Sequence, residues 1–564
     1  MSDTRISRKQ FLKLGAAGLG AAALGGVAPR LGRAADTGDR PNILFITVDQ
    51  LRSFADVPNE LPLPTFKRFV KEGRSFTNYH VHQAPCGPSR SVIYTGQYIQ
   101  KTGMYTNPPG EYAELTPDSP KPLELPTDFP TIGKMLREQG YYTAYKGKWH
   151  LSLVDQPVRA KTGRGYPDAS NALEEYGFSD YNLDGEHSGM TWVGFGHDGF
   201  IAADAVELLN DFANGKTGGK PWYFAINFVN PHDIMFYESP NEASGSGPGR
   251  NRVGPLKEPP LVPPYLKTWN LPLPRSLYKD DLSTKPGVQR SVAGAGPYGK
   301  VGAEDEDEWQ IYQNYYFNCI RDVDKHIATV LDALERFGLA DRTIVFLTSD
   351  HGEQGGAHHL KGKGPYIYKE CVRVPLVVRT PGMRGGRSTR ALAGSVDLTP
   401  TILGYAGLKD VERSAKYPYL HGVDLSPAIA NATARTDRDE RGILFDYMTP
   451  GFVRSTGPLT SDERRVLIRG VFDGRYKFGR YFRVTEHHIP RDWDTLLAHN
   501  DLELYDTQAD PDEIVNLAHK PEEHRDLILA LNDKVNALID GEVGADDGSI
   551  YPGPTEQYDL KPER

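Results

Sequence analysis

From residue 41 the chain alternates short, wholly apolar runs with stretches whose apolar residues recur at helical spacing. Asn42-Ile-Leu-Phe-Ile-Thr-Val48 shows no polar/apolar alternation, as expected of a strand covered on both faces. Tyr223 to Val229, Thr343 to Thr348 and Val374 to Arg379 read the same way. Between them, Val323, Ile327, Val330, Leu331 and Leu334 mark a helix within 320–337. The pattern predicts an α/β fold with a large, mixed but mainly parallel central sheet and helices on both faces. Past about residue 440 the strand-like pieces are shorter: Gly442 to Phe445, Arg465 to Arg469 and Arg475 to Phe478, with a last helix over 527–538. They predict a smaller C-terminal α+β subdomain (441–564) with an antiparallel sheet, packed on a main domain spanning 35–440.

Each strong strand runs into polar residues: Asp49-Gln50, Asn230-Pro-His232 and Asp350-His351. Ligands of open α/β sheets bind beyond the carboxyl ends of strands, so these groups are expected to converge. Residues 235–305 break the rhythm with Glu258-Pro-Pro-Leu-Val-Pro-Pro264 and Gly294-Ala-Gly-Pro297. So long an irregular stretch predicts a functional wall or lid near the site.

The first 34 residues stand apart. Six basic side chains and one acid accompany an apolar but Gly-rich run, Leu14 to Val27, and Gly32-Arg-Ala34 closes it with small residues. The run is short of the ~20 residues a membrane span needs, so the segment is expected to be an export signal to the periplasm or beyond. Ser7-Arg-Lys-Gln-Phe-Leu-Lys13 is close to a twin-arginine motif, with Lys9 where a second Arg belongs, which leaves the Tat and Sec routes both open.

Composition narrows the class. A formal charge of −9 lacks the basic footprint that nucleic-acid binding requires. Three cysteines over 564 residues build no disulfide framework; Cys319 and Cys371 read as buried thiols. Gly 58 and Pro 43 predict long loops rather than a helical bundle.

The chemistry lies in four motifs. Cys86-Gly-Pro-Ser-Arg90 precedes Ser91-Val-Ile-Tyr-Thr95-Gly96; Gly147-Lys-Trp-His150 follows Gly140-Tyr-Tyr; Asn230-Pro-His-Asp233 ends a buried run; and Thr348-Ser-Asp-His-Gly-Glu353 leads to His358 and Lys363. By residue type alone Cys86 reads as a small core residue as readily as a nucleophile. The set together resembles the signature of the formylglycine-dependent sulfatases of the alkaline phosphatase superfamily, over residues 41 to about 520. The family usually has Thr or Ser at Gly87, often Asp at Gln50, and commonly Trp at Lys361.

The resemblance implies that a formylglycine-generating enzyme oxidises Cys86 to an aldehyde, whose hydrate attacks sulfur. It implies a divalent cation held by Asp49, Gln50, Asp350 and His351, calcium first, with manganese or magnesium open. Arg90, Lys148, His150, His232 and Lys363 would bind sulfate and handle protons, with Asp350 taking the nucleophile's proton. Lys148 and His150, two apart, are expected to alternate along a strand onto one face, and the helix after Cys86 to begin at Ser91–Tyr94. The implied activity is hydrolysis of an organic sulfate monoester, of a small molecule or a carbohydrate, to alcohol and sulfate. Two alternatives stand beside it: a phosphonate monoester or phosphodiester hydrolase, whose members share the Asp-Gln pair but generally lack the Lys/His pair, and a non-catalytic binder of sulfated glycans.

Overall fold

The computed structural model describes residues 40–108, 123–152, 172–181, 192–238, 258–294, 306–449, 465–483 and 486–548. The export segment lies outside the described residues.

Eleven strands are described. In chain order they are β1 (Asn42–Val48), β2 (Arg74–His80), β3 (Tyr142–Gly147), β4 (Trp222–Phe228), β5 (Thr343–Ser349), β6 (Leu376–Arg379), β7 (Arg387–Gly394), β8 (Ile443–Tyr447), β9 (Leu467–Phe472), β10 (Tyr476–Phe482) and β11 (Asp501–Asp506). The first seven form one sheet in the order β3-β4-β1-β5-β6-β2-β7. β1 sits at its heart, parallel to β4 on one side and to β5 on the other. Only β6 runs against its neighbours, so the sheet is mixed and mainly parallel, as the apolar runs predict.

The reason β1 is apolar on both faces is visible in its packing. Ile43 and Phe45 enter the core on one face, and Leu44, Ile46 and Val48 enter a second core on the other. The second core is closed by the helices Val193–Ala213 and Glu306–Arg336. The latter begins inside the acidic run 304–308, where Glu306, Asp307 and Glu308 complement the helix dipole. The first core holds the helix Cys86–Thr95 and continues into the antiparallel sheet β11-β10-β9-β8, covered by the helix Arg525–Leu538. Pro41–Arg564 is a single compact unit by its internal packing, so the C-terminal sheet shares the main core. Cys319 and Cys371 are free, buried, and in different cores. Among the described residues no helix is long and apolar enough to cross a membrane.

The described part of the Pro/Gly-rich stretch, 258–294, carries regular structure. It forms the helices Arg275–Lys279 and Gly287–Gly294 and buries Tyr265, Leu271, Leu277 and Val288 in the two cores. Pro274 and Pro286 stand immediately before these two helices. Residues 239–257 and 295–305 lie outside the described residues.

Phe45 tests how firmly the site-bearing strand is held. It is 1% exposed and packs against Tyr94, Tyr223 and Phe346 at ring separations of 6.1–6.2 Å. Phe45→Ala is expected to cost about 3–5 kcal/mol, read as a lowered midpoint in urea unfolding at unchanged slope.

Candidate active site

Four neighbouring strands of the sheet end at one place. β1 delivers Asp49 and Gln50, β5 delivers Asp350 and His351, β3 is followed by Lys148 and His150, and β4 by His232. The helix Cys86–Thr95 points its first turn at them, with Cys86 as its first residue, earlier than Ser91. The positive end of the helix dipole favours an anion at this position.

Cys86 is 1% exposed and sits among charged groups. Its sulfur lies 3.0 Å from Lys363 Nζ, 3.1 Å from His351 Nε2 and 3.8 Å from Asp49 Oδ1. Burial would push the thiol up, but Lys148, Lys363, His351 and a hydrogen bond from His150 hold it well below the usual thiol range. This is an activated, anion-favouring position, unlike the inert core thiols Cys319 and Cys371, which burial pushes up.

The carboxylates are equally constrained. Asp49 Oδ2 is 2.6 Å from Lys148 Nζ. Burial and the Cys86 sulfur raise its carboxyl, and Lys148, His232 and Arg90 together bring it below the usual range. Asp350 is raised, by burial and then by the Asp49 charge. Its Oδ1 accepts from the backbone N–H groups of Gln50 and His351, at 3.2 and 3.0 Å.

The ligand atoms of Asp49, Cys86, Asp350 and His351 all lie within 4.8 Å of one another, fully buried. His351 Nδ1 donates to the Gly352 carbonyl at 2.9 Å. A carbonyl only accepts, so Nδ1 carries a proton and Nε2 is left to face both carboxylates, at 3.6 and 3.9 Å. Two buried carboxylates and an imidazole oriented by a backbone carbonyl form a donor set suited to a divalent cation. Gln50 extends it: its Oε1 accepts from Lys363 Nζ at 2.8 Å.

Arg90 is placed differently from the expectation that it binds sulfate. Its guanidinium faces inward, with Nε donating to Asp350 Oδ2 at 2.8 Å and one terminal nitrogen 3.4 Å from Asp49 Oδ2. The other donates to the Lys148 carbonyl at 2.8 Å and to Asn227 Oδ1 at 3.1 Å. It braces the two carboxylates from behind, because a planar fork with five donors can serve several acceptors at once.

Lys148 and His150 reach the site by another route than strand alternation. β3 ends at Gly147, where φ is 83° and a Cβ would stand 2.0 Å from the Asn227 carbonyl oxygen. The chain turns there, and His150 takes a left-handed φ of 58°. Gln50 is also left-handed, at 67°. Such conformations cost about 1–3 kcal/mol each and collect at functional sites.

His232 is held by its neighbours' backbone. Asp198 accepts from the N–H groups of Val229 and Asn230 at 2.7 and 2.9 Å, and Asp233 accepts from those of Gly194 and Phe195. Gly87 answers to close packing, since a Cβ there would lie 3.0–3.2 Å from Pro108, Asn107 and the His150 carbonyl. His358 faces away from this centre, onto Asp280 at 2.6 Å and stacked on Tyr368.

Two participants have no role assigned by the motifs. Asn227, within β4, accepts from Arg90 and from Tyr94 and so aligns the guanidinium. A lone Asn in an otherwise apolar run was its available signal. Glu353 closes the Thr348–Glu353 motif, and no spacing rule assigns it a partner.

A buried cluster of lysines and imidazoles around the Cys86 thiol and a group of residues able to hold a metal ion, at the strand ends of an alkaline phosphatase-like α/β fold, is an arrangement suited to the hydrolysis of anionic esters. A sulfatase family profile matches residues 41–408, and the chain belongs to the sulfatase family: its reaction class is sulfuric ester hydrolysis. It is similar to the N-acetylglucosamine-6-O-sulfatase of Bacteroides thetaiotaomicron (24% identical, covering 91% of this chain and 89% of the relative). The choline-sulfatase of Rhizobium meliloti is 27% identical over 86% of this chain and 84% of its own. In fold it resembles the phosphonate monoester hydrolase SpPMH from Silicibacter pomeroyi, with a TM-score of 0.59 at 20% identity, covering 89% and 96%.

Proposed function

We propose that this chain is an exported, calcium-dependent sulfatase that acts on a sulfated carbohydrate with Cys86, matured to formylglycine, as nucleophile. The supporting observation is the placement of the Cys86 sulfur within 4.8 Å of ligand atoms of Asp49, Asp350 and His351, and 3.0 Å from Lys363. Hydrated formylglycine supplies a geminal diol, one oxygen to attack sulfur and the other to expel sulfate by reforming the aldehyde, which a thiol cannot do. Asp49, Gln50, Asp350 and His351 would hold the cation, which supplies Lewis-acid stabilisation of charge on the sulfate oxygens.

The remaining steps belong to the chain's own groups. Asp350 takes the nucleophile's proton. Lys148 and Lys363 replace water around the sulfate, and each such preorganised donor lowers the barrier by about 3–4 kcal/mol. His232 or Lys363 protonates the leaving oxygen, and His150, hydrogen-bonded at position 86, removes the proton that lets sulfate leave. Arg90 holds Asp49 and Asp350 in register and touches no substrate.

The carbohydrate assignment draws on the sugar-sulfate activity named for the Bacteroides relative. Residues 1–34 would direct export to the periplasm, where such substrates are met.

The test compares 4-nitrophenyl sulfate with a matching phosphonate monoester and with N-acetylglucosamine 6-sulfate, before and after dialysis against a chelator. Sulfate turnover is expected to exceed phosphonate turnover, to fall at least tenfold on chelation and to return with calcium. Faster phosphonate turnover would instead favour the second reading, which shares the Asp49-Gln50 pair. No turnover of any ester by a chain carrying the aldehyde would leave a glycan binder.

A further inference from the structure

A buried carboxylate stands directly behind the Gln50 amide, and none of the steps above uses it. We propose that Glu353 is a positioning residue that decides which end of the Gln50 amide faces the cation site, and that it ties the loop bearing Lys363 to the same point. The inference rests on the proposed cation site.

Glu353 is fully buried. Its Oε2 accepts from Gln50 Nε2 at 2.5 Å. Its Oε1 accepts from the Tyr312 hydroxyl at 3.0 Å and from the backbone N–H groups of Gly355 and Gly362 at 2.9 and 2.6 Å. Four donors converge on this side chain, and its two oxygens accept from all of them. On the far side of the amide, Gln50 Oε1 accepts from Lys363 Nζ at 2.8 Å, itself 3.0 Å from the Cys86 sulfur. An amide has one oxygen and one nitrogen. With the nitrogen committed to Glu353, the oxygen must face Lys363 and the cluster of ligand atoms.

The same carboxylate shapes the loop. Gly362 donates to Glu353 Oε1, and Gln354 donates to the Gly362 carbonyl at 2.9 Å. These bonds close residues 353–362 and bring Lys363 back over Cys86. The pairing also accounts for Gln rather than Asp at position 50. A carboxylate there would face the Glu353 carboxylate in a buried space, a like-charge contact that costs heavily.

Glu353→Gln changes neither the length nor the volume of the side chain. It does place an NH2 group against donors whichever way it turns. Rotation of the Gln50 amide relieves the conflict and aims the Gln50 nitrogen at Lys363 and the cation site. Isothermal titration of the purified full chain with calcium alone is therefore expected to show a 10–100-fold weaker affinity in E353Q, the range found when a residue orienting a metal ligand is lost. Q50E, with two facing carboxylates, is expected to weaken binding as well. The exchange Q50E/E353Q restores one amide and one carboxylate in reversed order and is expected to return to within a few-fold of the wild type.

Unchanged affinity in E353Q overturns the proposal. So does loss in E353Q that the exchange fails to restore, since that is the mark of a residue needed only for folding. If E353Q does not fold by circular dichroism, Q50E against Q50E/E353Q gives the same readout, with tighter binding in the double variant expected and equal binding refuting it. A wild-type chain that binds no calcium, manganese or magnesium removes the cation reading and this inference together. Wild-type binding with an indifferent E353Q removes the inference alone.

Discussion

Cys86→Ala is expected to abolish sulfate ester hydrolysis, by about 10⁶-fold in kcat, as the loss of a covalent nucleophile does elsewhere. The other side chains of the site cannot take over. The nearest groups to the Cys86 sulfur are an ammonium, an imidazole and a carboxylate held below its usual range by three cationic partners, and none forms and releases a sulfate ester through an aldehyde. The fold should survive, because Cys86 begins a helix whose remaining residues are buried regardless. Mass spectrometry of the wild-type peptide spanning position 86 is the companion measurement. It should show the thiol replaced by an aldehyde in protein made alongside a formylglycine-generating enzyme. Full activity in C86A, or an intact thiol in active enzyme, would refute the assigned nucleophile.

The second large effect concerns Arg90 and is one of stability as well as rate. Its side chain is fully buried and joins Asp350 at 2.8 Å and Asp49 at 3.4 Å. Arg90→Ala leaves both carboxylates without their rear partner, and breaking a buried ion pair from one side typically costs about 3–5 kcal/mol. Urea unfolding should show that loss. Calcium should return part of it, because a cation bound only by the native state at a hundred times its Kd adds about 2.7 kcal/mol. Arg90→Lys should recover little, since a single ammonium cannot serve Asp350, Asp49, Asn227 and the Lys148 carbonyl together. If Arg90 instead contacted substrate, R90A would raise KM with stability intact, and the two outcomes separate cleanly.

Much of the fold was legible along the chain, for a reason specific to parallel sheets. A strand buried on both faces is apolar over most of its length, so β1 and β5 announce themselves through Ile43–Ile46 and Ile344–Leu347, and the charged residues that follow mark the edge where the backbone leaves the core. β7, with its exposed residues Arg387, Ser388 and Arg390, gave no such signal. The gathering of Asp49, Cys86, Lys148, His232, Asp350, His351 and Lys363 was likewise predicted by motif, and the structure brings them together. Direction was not legible. The motif grouped Arg90 with the sulfate-binding cations, yet Asn227 and two carboxylates turn it inward; Lys148 and His150 were assigned to a strand that stops at Gly147.

Sequence alone thus determined which elements form and which chemical groups stand at their ends, because burial and strand termination are local properties of the chain. The fold in three dimensions decided which donor meets which acceptor. Gln50 finds Glu353 across 303 residues, and Arg90 finds Asp350 across 260. A buried polar atom must satisfy its hydrogen bonds with whatever the packing of other elements brings within 3 Å, and the spacing of residues along one segment carries no information about that.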